Sequence, residues 1–297
     1  MPEISVVIPT KDRLPYLRKS VPMFLSHPEV GEVIIVVDGC RDGTLAYAEE
    51  ASATDGRVRF VDNGVNRGLP YSRNRGMDLA QCEYAFTGED DLELSPGFFA
   101  TLLGHIAETG ADIASGRNVF RFERETTAEA LARSGKTTGP SVNRRLVTLN
   151  PQISLPADSV QALLPAPMLA RTEVFRKLRW DEGLRGNAWR EESDVQLQAV
   201  ELGMRLVYCP HAVSFNLVIE NDPGGCNTTS GVRRVRWIVR NNWRFVRRHR
   251  EAVAREFGVR NLYVYIARFT AWKSWNEIIL PAADRAKRGL VGGRIGS

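Results

Sequence analysis

Short apolar runs separated by polar, helix-forming stretches set the rhythm of the first hundred residues. Ile4-Ser5-Val6-Val7-Ile8 is a β-branched run met by Pro9, and it predicts a buried parallel strand that stops there. A helix is expected from Leu14 to Ser26, with Pro15 tolerated in its first turn and Pro22 kinking or shortening it. Val33 to Val37 predicts a second buried strand, ending at Asp38-Gly39, and Asp42-Gly43-Thr44 leads into a helix through Ala53. Val58 to Val61 follows as a third strand, Leu69 to Gln81 as a helix, and Tyr84 to Gly88 as a fourth strand. A helix started by Pro96 and running to Thr109, then a strand at Ile113-Ala114, complete this half. Alternation of this kind predicts an α/β fold with a mostly parallel sheet flanked by helices.

The rhythm fails over residues 117–160, a polar stretch read as an insertion with a short helix around Ala128 to Arg133. Order is expected again at Met168-Leu169-Ala170, in a helix from Thr172, in a helix from Ala188 to Leu202, and in a strand from Arg205 to Tyr208. The last third reads as helix, from Val232 to Phe257 and from Leu262 to Lys287, with Gly289 to Ser297 as a tail. Three parts follow: 1–115, 116–220 with its insertion, and a basic helical C-terminal extension at 221–297.

Composition changes this picture little. Hydrophobic content of 43% and charged content of 25% are ordinary for a globular chain of 297 residues. The net charge of +5 is compatible with an anionic small substrate, a membrane surface or nucleic acid. No nucleic-acid-binding module is recognisable, so nucleic acid is not expected as a partner. The four cysteines include no C-x-x-C pair, which speaks against a zinc site or disulfide framework. With no apolar run of membrane-spanning length, the expectation is a cytoplasmic protein, at most peripheral to the inner face of the membrane. Val232 to Phe257 sharpens that last point, with nine arginines, two glutamates and an apolar stripe of Val232, Val235, Val239, Trp243 and Val246. Two readings stand for it: a basic helix packed on the domain, or a contact with anionic lipid.

Two acidic clusters carry the chemistry. Glu89-Asp90-Asp91 lies where a strand ends, on the sheet edge at which ligands of α/β proteins bind. Carboxylates there bury nothing and repel each other, but they suit a hard divalent cation that also binds phosphate oxygens. Glu191-Glu192-Ser193-Asp194 opens a helix about a hundred residues later and offers a general base or a favourable helix-start charge.

Several segments, taken together and in order, resemble family 2 inverting glycosyltransferases of the GT-A fold. They are Ile4 to Arg13, Val33 to Thr44, Asn66 to Gly76, Glu83 to Phe98 and Gly183 to Tyr208. The resemblance implies a nucleotide-sugar half at 1–115 and an acceptor half at 116–220. It places Pro9, Thr10, Asp12 and Asp38 against base and ribose, and Arg67 and Arg73 near the diphosphate. Glu89-Asp90-Asp91 takes the place of the D-x-D motif: Asp91, with Glu89, is the implied ligand of Mg²⁺ or Mn²⁺, while Glu89 and Asp90 also fall near ribose. Trp189 to Val195 resembles the G-E-D-x-D-L segment, which puts the catalytic base at Glu192, with Glu191 as the alternative, and Trp189 and Asp194 beside the acceptor. Trp180 and Trp189 have two readings, sugar stacking or core packing. Three positions depart from the family pattern: Glu for Asp at Glu89 and Glu192, and Asn216 where many relatives place a metal-binding His, with His211 out of register. The implied reaction moves a sugar from a nucleoside-diphosphate sugar to a hydroxyl of a glycan, a lipid-linked or a small-molecule acceptor. A sugar-phosphate nucleotidyltransferase and a non-catalytic nucleotide-sugar-binding protein are the alternatives.

Overall fold

The structure, a computed structural model, describes residues 3–136, 141–150, 154–155, 159–218 and 231–281. In chain order the elements begin with β1 (Ile4–Thr10), α1 (Leu14–Leu25), β2 (Val30–Val37), α2 (Thr44–Thr54), β3 (Val58–Asp62), α3 (Leu69–Leu79) and β4 (Tyr84–Phe86). β5 (Leu92–Leu94), α4 (Phe98–Thr109), β6 (Ile113–Phe122), α5 (Thr127–Gly135), β7 (Val142–Asn143) and β8 (Thr148–Leu149) follow. β9 (Met168–Arg171), α6 (Thr172–Lys177), α7 (Glu191–Glu201), β10 (Leu206–Val218), α8 (Gly231–Arg248), α9 (Arg250–Phe257) and α10 (Leu262–Ser274) complete them, with a π-helical turn at Trp275–Ile279. Thr137 to Gly139, the predicted tail and the end of the last helix lie outside the described residues.

One eight-stranded sheet has the order β3-β2-β1-β4-β9-β6-β10-β5. β9 runs antiparallel to both β4 and β6, and β5 runs antiparallel to β10; the other pairs are parallel. The period of two in the strands sorts their side chains into two cores. Ile4, Val6, Ile8, Val33, Ile35 and Val37 meet α1, α2 and α4 on one face, while Val7, Ile34 and Val36 meet α3, α6 and α7 on the other. Both faces being covered, these strands read as unbroken apolar runs rather than alternating ones. Gly76 lets α3 lie directly on β1, since a Cβ there would come 2.2 Å from Val7 Cγ1.

Pro9 does not end β1. Glu3 O accepts from Tyr84 N while Thr10 O accepts from Asp38 N, so odd residues face β4 and even ones β2. The N–H that Pro9 lacks therefore points to the β4 side, beyond Val6, where that pairing already stops. Pro22 likewise sits inside α1, which continues three residues further.

The expected insertion is partly sheet. β6 runs on to Phe122 beside β10, which continues past Tyr208 through an irregularity between Cys209 and Val213. Its polar residues find partners: Arg117 Nη2 donates to Ser134 Oγ at 3.1 Å and Asn118 to Ala166 O. The short helix expected here is α5, opened by a reciprocal cap between Thr126 and Glu129.

A third core joins α7 to α8, α9 and α10 through Leu197, Ile238, Phe245, Val253 and Phe269. The single helix expected from Val232 to Phe257 is two, broken at His249, whose ring turns inward. Val235 and Val246 of its apolar stripe are buried, Val239 and Trp243 pack on this core, and Val232 is exposed. Among the described residues no helix is long and apolar enough to cross a membrane.

Candidate active site

Asp38 closes β2 and organises the loop before α3. Its Oδ1 accepts from Arg67 N at 2.7 Å and Asn63 Nδ2 at 2.9 Å, and its Oδ2 from Gly68 N at 3.0 Å. Gly39 allows that loop to close down, because a Cβ at its φ of +65° would meet Asn66 N at 2.4 Å. Arg67 itself is exposed and lies over the Tyr71 ring. Thr10, just beyond Pro9 at the end of β1, donates from Oγ1 to Asp90 Oδ2 at 2.8 Å. Asp12, at φ +53°, is held by Arg41 N and by Lys11. Asp12, Cys40 and Asp42 bring ligand-type atoms within 4.8 Å of one another, a grouping no motif announced.

The acidic loop after β4 is neutralised from two sides. Arg13, a residue the sequence reading did not single out, donates from Nη1 to Asp90 Oδ1 at 2.8 Å and from Nη2 to Asp91 Oδ2 at 2.9 Å. Asn216 on β10 donates from Nδ2 to Glu89 Oε2 at 3.0 Å and approaches Asp91 Oδ1 at 3.4 Å. β5 makes that approach possible, because it pairs Leu92 directly with Asn216. The residue standing where relatives place a His is thus in register, whereas His211 is exposed in the irregular part of β10.

Arg73, implied near the diphosphate, is not a solvated helix charge. It is 1% exposed, with Nη1 donating to Val7 O at 3.2 Å and Gly88 O at 2.5 Å, and Nη2 lying 3.5 Å from Glu89 Oε1. From beneath the strand ends it faces both acidic clusters. Burial, then the charges of Asp91 and Glu192, push the Glu89 carboxyl up to about 8, against the pull of Arg73. Burial raises Glu191 to about 7, with Arg73 opposing and Glu89 reinforcing. Burial and the neighbouring Glu191 raise Glu192 to about 8, again opposed by Arg73. The two clusters, a hundred residues apart in sequence, therefore share one electrostatic site.

Glu191 and Glu192 begin α7 with different surroundings. Glu191 is buried, while Glu192 is half-buried. The entry to this helix is strained: Ala188 and Arg190 both have positive φ, at 49° and 85°. Such a backbone costs of order 1–3 kcal/mol per residue and persists only where surrounding contacts over-determine it. Buried Arg190 supplies those contacts, donating to Asn242 Oδ1 at 2.8 Å, Val147 O at 2.5 Å and Leu146 O at 3.1 Å.

Asp194 has no exposed surface and is not in the crevice. Its Oδ1 lies 2.8 Å from His249 Nε2, and its Oδ2 accepts from Gln198 at 2.8 Å and Arg248 at 3.2 Å. The acceptor contact expected of it is unavailable to such a side chain; it ties α7 to the C-terminal helices instead. Trp189 packs on the third core with Lys273 Nζ 4.3 Å from its ring centre, which occupies one stacking face. Trp180 is buried against Phe175, so packing accounts for it.

The sequence model of glycosyl transferase family 2 matches residues 5–158. Among curated relatives, the GalNAc(5)-diNAcBac-PP-undecaprenol beta-1,3-glucosyltransferase of Campylobacter jejuni is 29% identical over 105 residues, 35% of this chain and 34% of its own. The putative colanic acid biosynthesis glycosyl transferase WcaA of Escherichia coli is 29% identical over 105 residues, 35% of this chain and 38% of its own. The matched parts span less than half the length of these curated relatives. Among solved structures, GalNAc-T7 with UDP, GalNAc and Mn²⁺ superposes with a TM-score of 0.63 at 16% identity, covering 83% of this chain and 48% of that one. Mannosyltransferase PcManGT of Pyrobaculum calidifontis, solved with GDP-Man and Mn²⁺, gives 0.57 at 14% identity, covering 100% and 76%. The fold is thus that of GT-A glycosyltransferases, and the chain belongs to glycosyl transferase family 2.

Proposed function

We propose that this protein is an inverting, metal-assisted glycosyltransferase that uses a nucleoside-diphosphate sugar, with Glu192 as its general base. The observation that carries the reading is the convergence of Glu89, Asp91 and Asn216 with Glu191 and Glu192 around buried Arg73. A carboxylate group this crowded, with titration pushed toward neutrality, is short of positive charge, and it suits a cation.

Asp91 and Glu89 are the residues that would hold Mg²⁺ or Mn²⁺, with the Asn216 carboxamide in reach of both. Such an ion supplies charge neutralisation for the departing nucleoside diphosphate. Asp38, Thr10, Asp12 and Pro9 line the base and ribose side, within the half we assign to the donor, residues 1–115. Thr10 and Arg13 hold Asp90 and Asp91 in place beneath it. Residues 116–220 supply the acceptor side, and 221–297 form a helical extension that braces α7.

Glu192, half-buried at the start of α7, accepts the proton of the acceptor hydroxyl. That oxygen attacks the anomeric carbon from the face opposite the diphosphate, and the bond from the anomeric carbon to the phosphate oxygen breaks. Glu192 must be ionised to act; Arg73, and the positive charge that accompanies the donor, favour that form. Glu191 lies buried beside it and raises its basicity through repulsion. The acceptor is a hydroxyl of a glycan or a lipid-linked sugar, in keeping with the undecaprenol-linked acceptor named for the Campylobacter relative.

A thermal-shift panel of UDP-, dTDP- and GDP-sugars, with and without Mn²⁺, tests the donor class. One nucleotide series should stabilise the protein by mass action, and Mn²⁺ should enlarge the shift. Asp91→Asn should remove the enlargement.

A further inference from the structure

We infer that a pocket on the C-terminal helices is a second, phosphate-binding site. It lies where α9 gives way to α10 beside the β7–β8 turn, a half-open groove of about 250 Å³. That volume lies just under the ~300–1,000 Å³ of ordinary ligand pockets and suits a small anionic group. Four of the residues around it are arginines, Arg144 and Arg145 from the turn, Arg260 before α10 and Arg268 within it, and no acid lines it.

All four arginines are exposed side chains bordering one groove, where water screens their mutual repulsion but no carboxylate of the lining neutralises them. The local acids do not answer them. Glu256 gives its Oε1 to Arg255 at 2.7 Å, and only its backbone carbonyl receives Arg144, at 2.5 Å. Among the described residues Arg145, Arg260 and Arg268 form no ion pair. The start of α10, capped by Asn261 through Tyr263 N and Val264 N, adds the positive end of its helix dipole. Guanidinium forks match phosphate oxygens in pairs, which selects phosphate or diphosphate over a point-charge anion such as chloride.

The pocket is also wired to the candidate active site. Tyr265 lines it, and its hydroxyl lies 3.0 Å from Leu146 O and 3.3 Å from Arg190 Nη2. Arg190 is the strained residue that launches α7 immediately before Glu191 and Glu192. A phosphate bound here therefore rests on the scaffold that aims those carboxylates. The site stands on its own geometry and does not depend on the glycosyl-transfer reading. Its ligand has two sources with the same chemistry: a phosphate-bearing molecule free in solution, or the headgroup of an anionic lipid.

Calorimetric titration with inorganic pyrophosphate in EDTA at low salt tests the site. Wild type and Asp91→Asn, which is altered only in the candidate metal site, should bind alike, whereas the double variant Arg260→Ala/Arg268→Ala should bind at least about tenfold more weakly. Arg145→Ala, on the exposed turn, gives the same readout if the double variant melts early. Flotation with phosphatidylcholine vesicles, with and without phosphatidylglycerol, separates the sources. Loss of phosphatidylglycerol-dependent binding in the arginine variants assigns the headgroup, and unchanged vesicle behaviour assigns a free phosphate ligand. Wild-type pyrophosphate affinity in arginine variants that melt like wild type, or loss of binding in Asp91→Asn alone, would overturn the site.

Discussion

Arg13 Nη2 lies 2.9 Å from Asp91 Oδ2, so the carboxylate we propose as the metal ligand is already paired with a cation from the protein itself. The pair is largely out of solvent, at 11% and 15% exposure, and Arg13 also holds Asp90. A divalent ion arriving at Asp91 must therefore displace or share this guanidinium.

Arg13→Ala should lower the metal-free melting temperature and enlarge the shift given by Mn²⁺. Taking the guanidinium away from two crowded carboxylates costs about 1–3 kcal/mol, several degrees for a chain of this size. Differential scanning fluorimetry in EDTA and in Mn²⁺ checks both parts. Unchanged melting with an unchanged Mn²⁺ shift would separate Arg13 from the metal site.

Stability should fall as pH rises through the neutral range. Folding raises Glu191 to about 7 and Glu192 and Glu89 to about 8, above their ordinary value of about 4.5. Between those limits the folded state keeps protons that the unfolded state releases, so raising pH favours unfolding. Glu191→Gln removes one such group and should stabilise the protein more at pH 8 than at pH 5, by on the order of 2–3 kcal/mol at the upper end. Urea unfolding at the two pH values measures the difference. An equal effect at both would mean that Glu191 titrates normally.

Much of this was legible in the sequence, and the misses share a cause. β1 to β4 and α1 to α4 announce themselves through local apolar periodicity, so only their ends shifted. β5 was missed because three residues, Leu92–Leu94, become a strand only by pairing with β10, over a hundred residues away. The long β6 was cut short because Gly116-Arg117-Asn118 reads as loop, although Arg117 and Asn118 find distant partners. The acidic clusters were visible as motifs, and Asn216 as a departure from one. Arg13 against Asp91 and Asp194 against His249 were not, since such pairs span the chain and leave no periodic trace.

Asp194→Ala should cost about 1–3 kcal/mol in global stability, because it leaves Nε2 of buried His249 without its partner, while His249 keeps Glu201 and exposed Arg248 keeps Asp181. Donor binding by the folded fraction should survive. Denaturant unfolding and donor thermal shifts check the two statements. A stable variant with only its acceptor KM raised would return Asp194 to the acceptor site.

The measurement that bears most directly on the central claim is sugar transfer by Glu192→Gln, with whichever donor the thermal-shift panel identifies. The substitution keeps shape and loses the proton acceptor, so donor binding should persist while turnover falls by roughly 10²–10⁴-fold. Glu191→Gln should cost clearly less, since adjacent helical residues point about 100° apart and cannot both face one hydroxyl. Wild-type turnover in a folded, donor-binding Glu192→Gln protein would contradict the account.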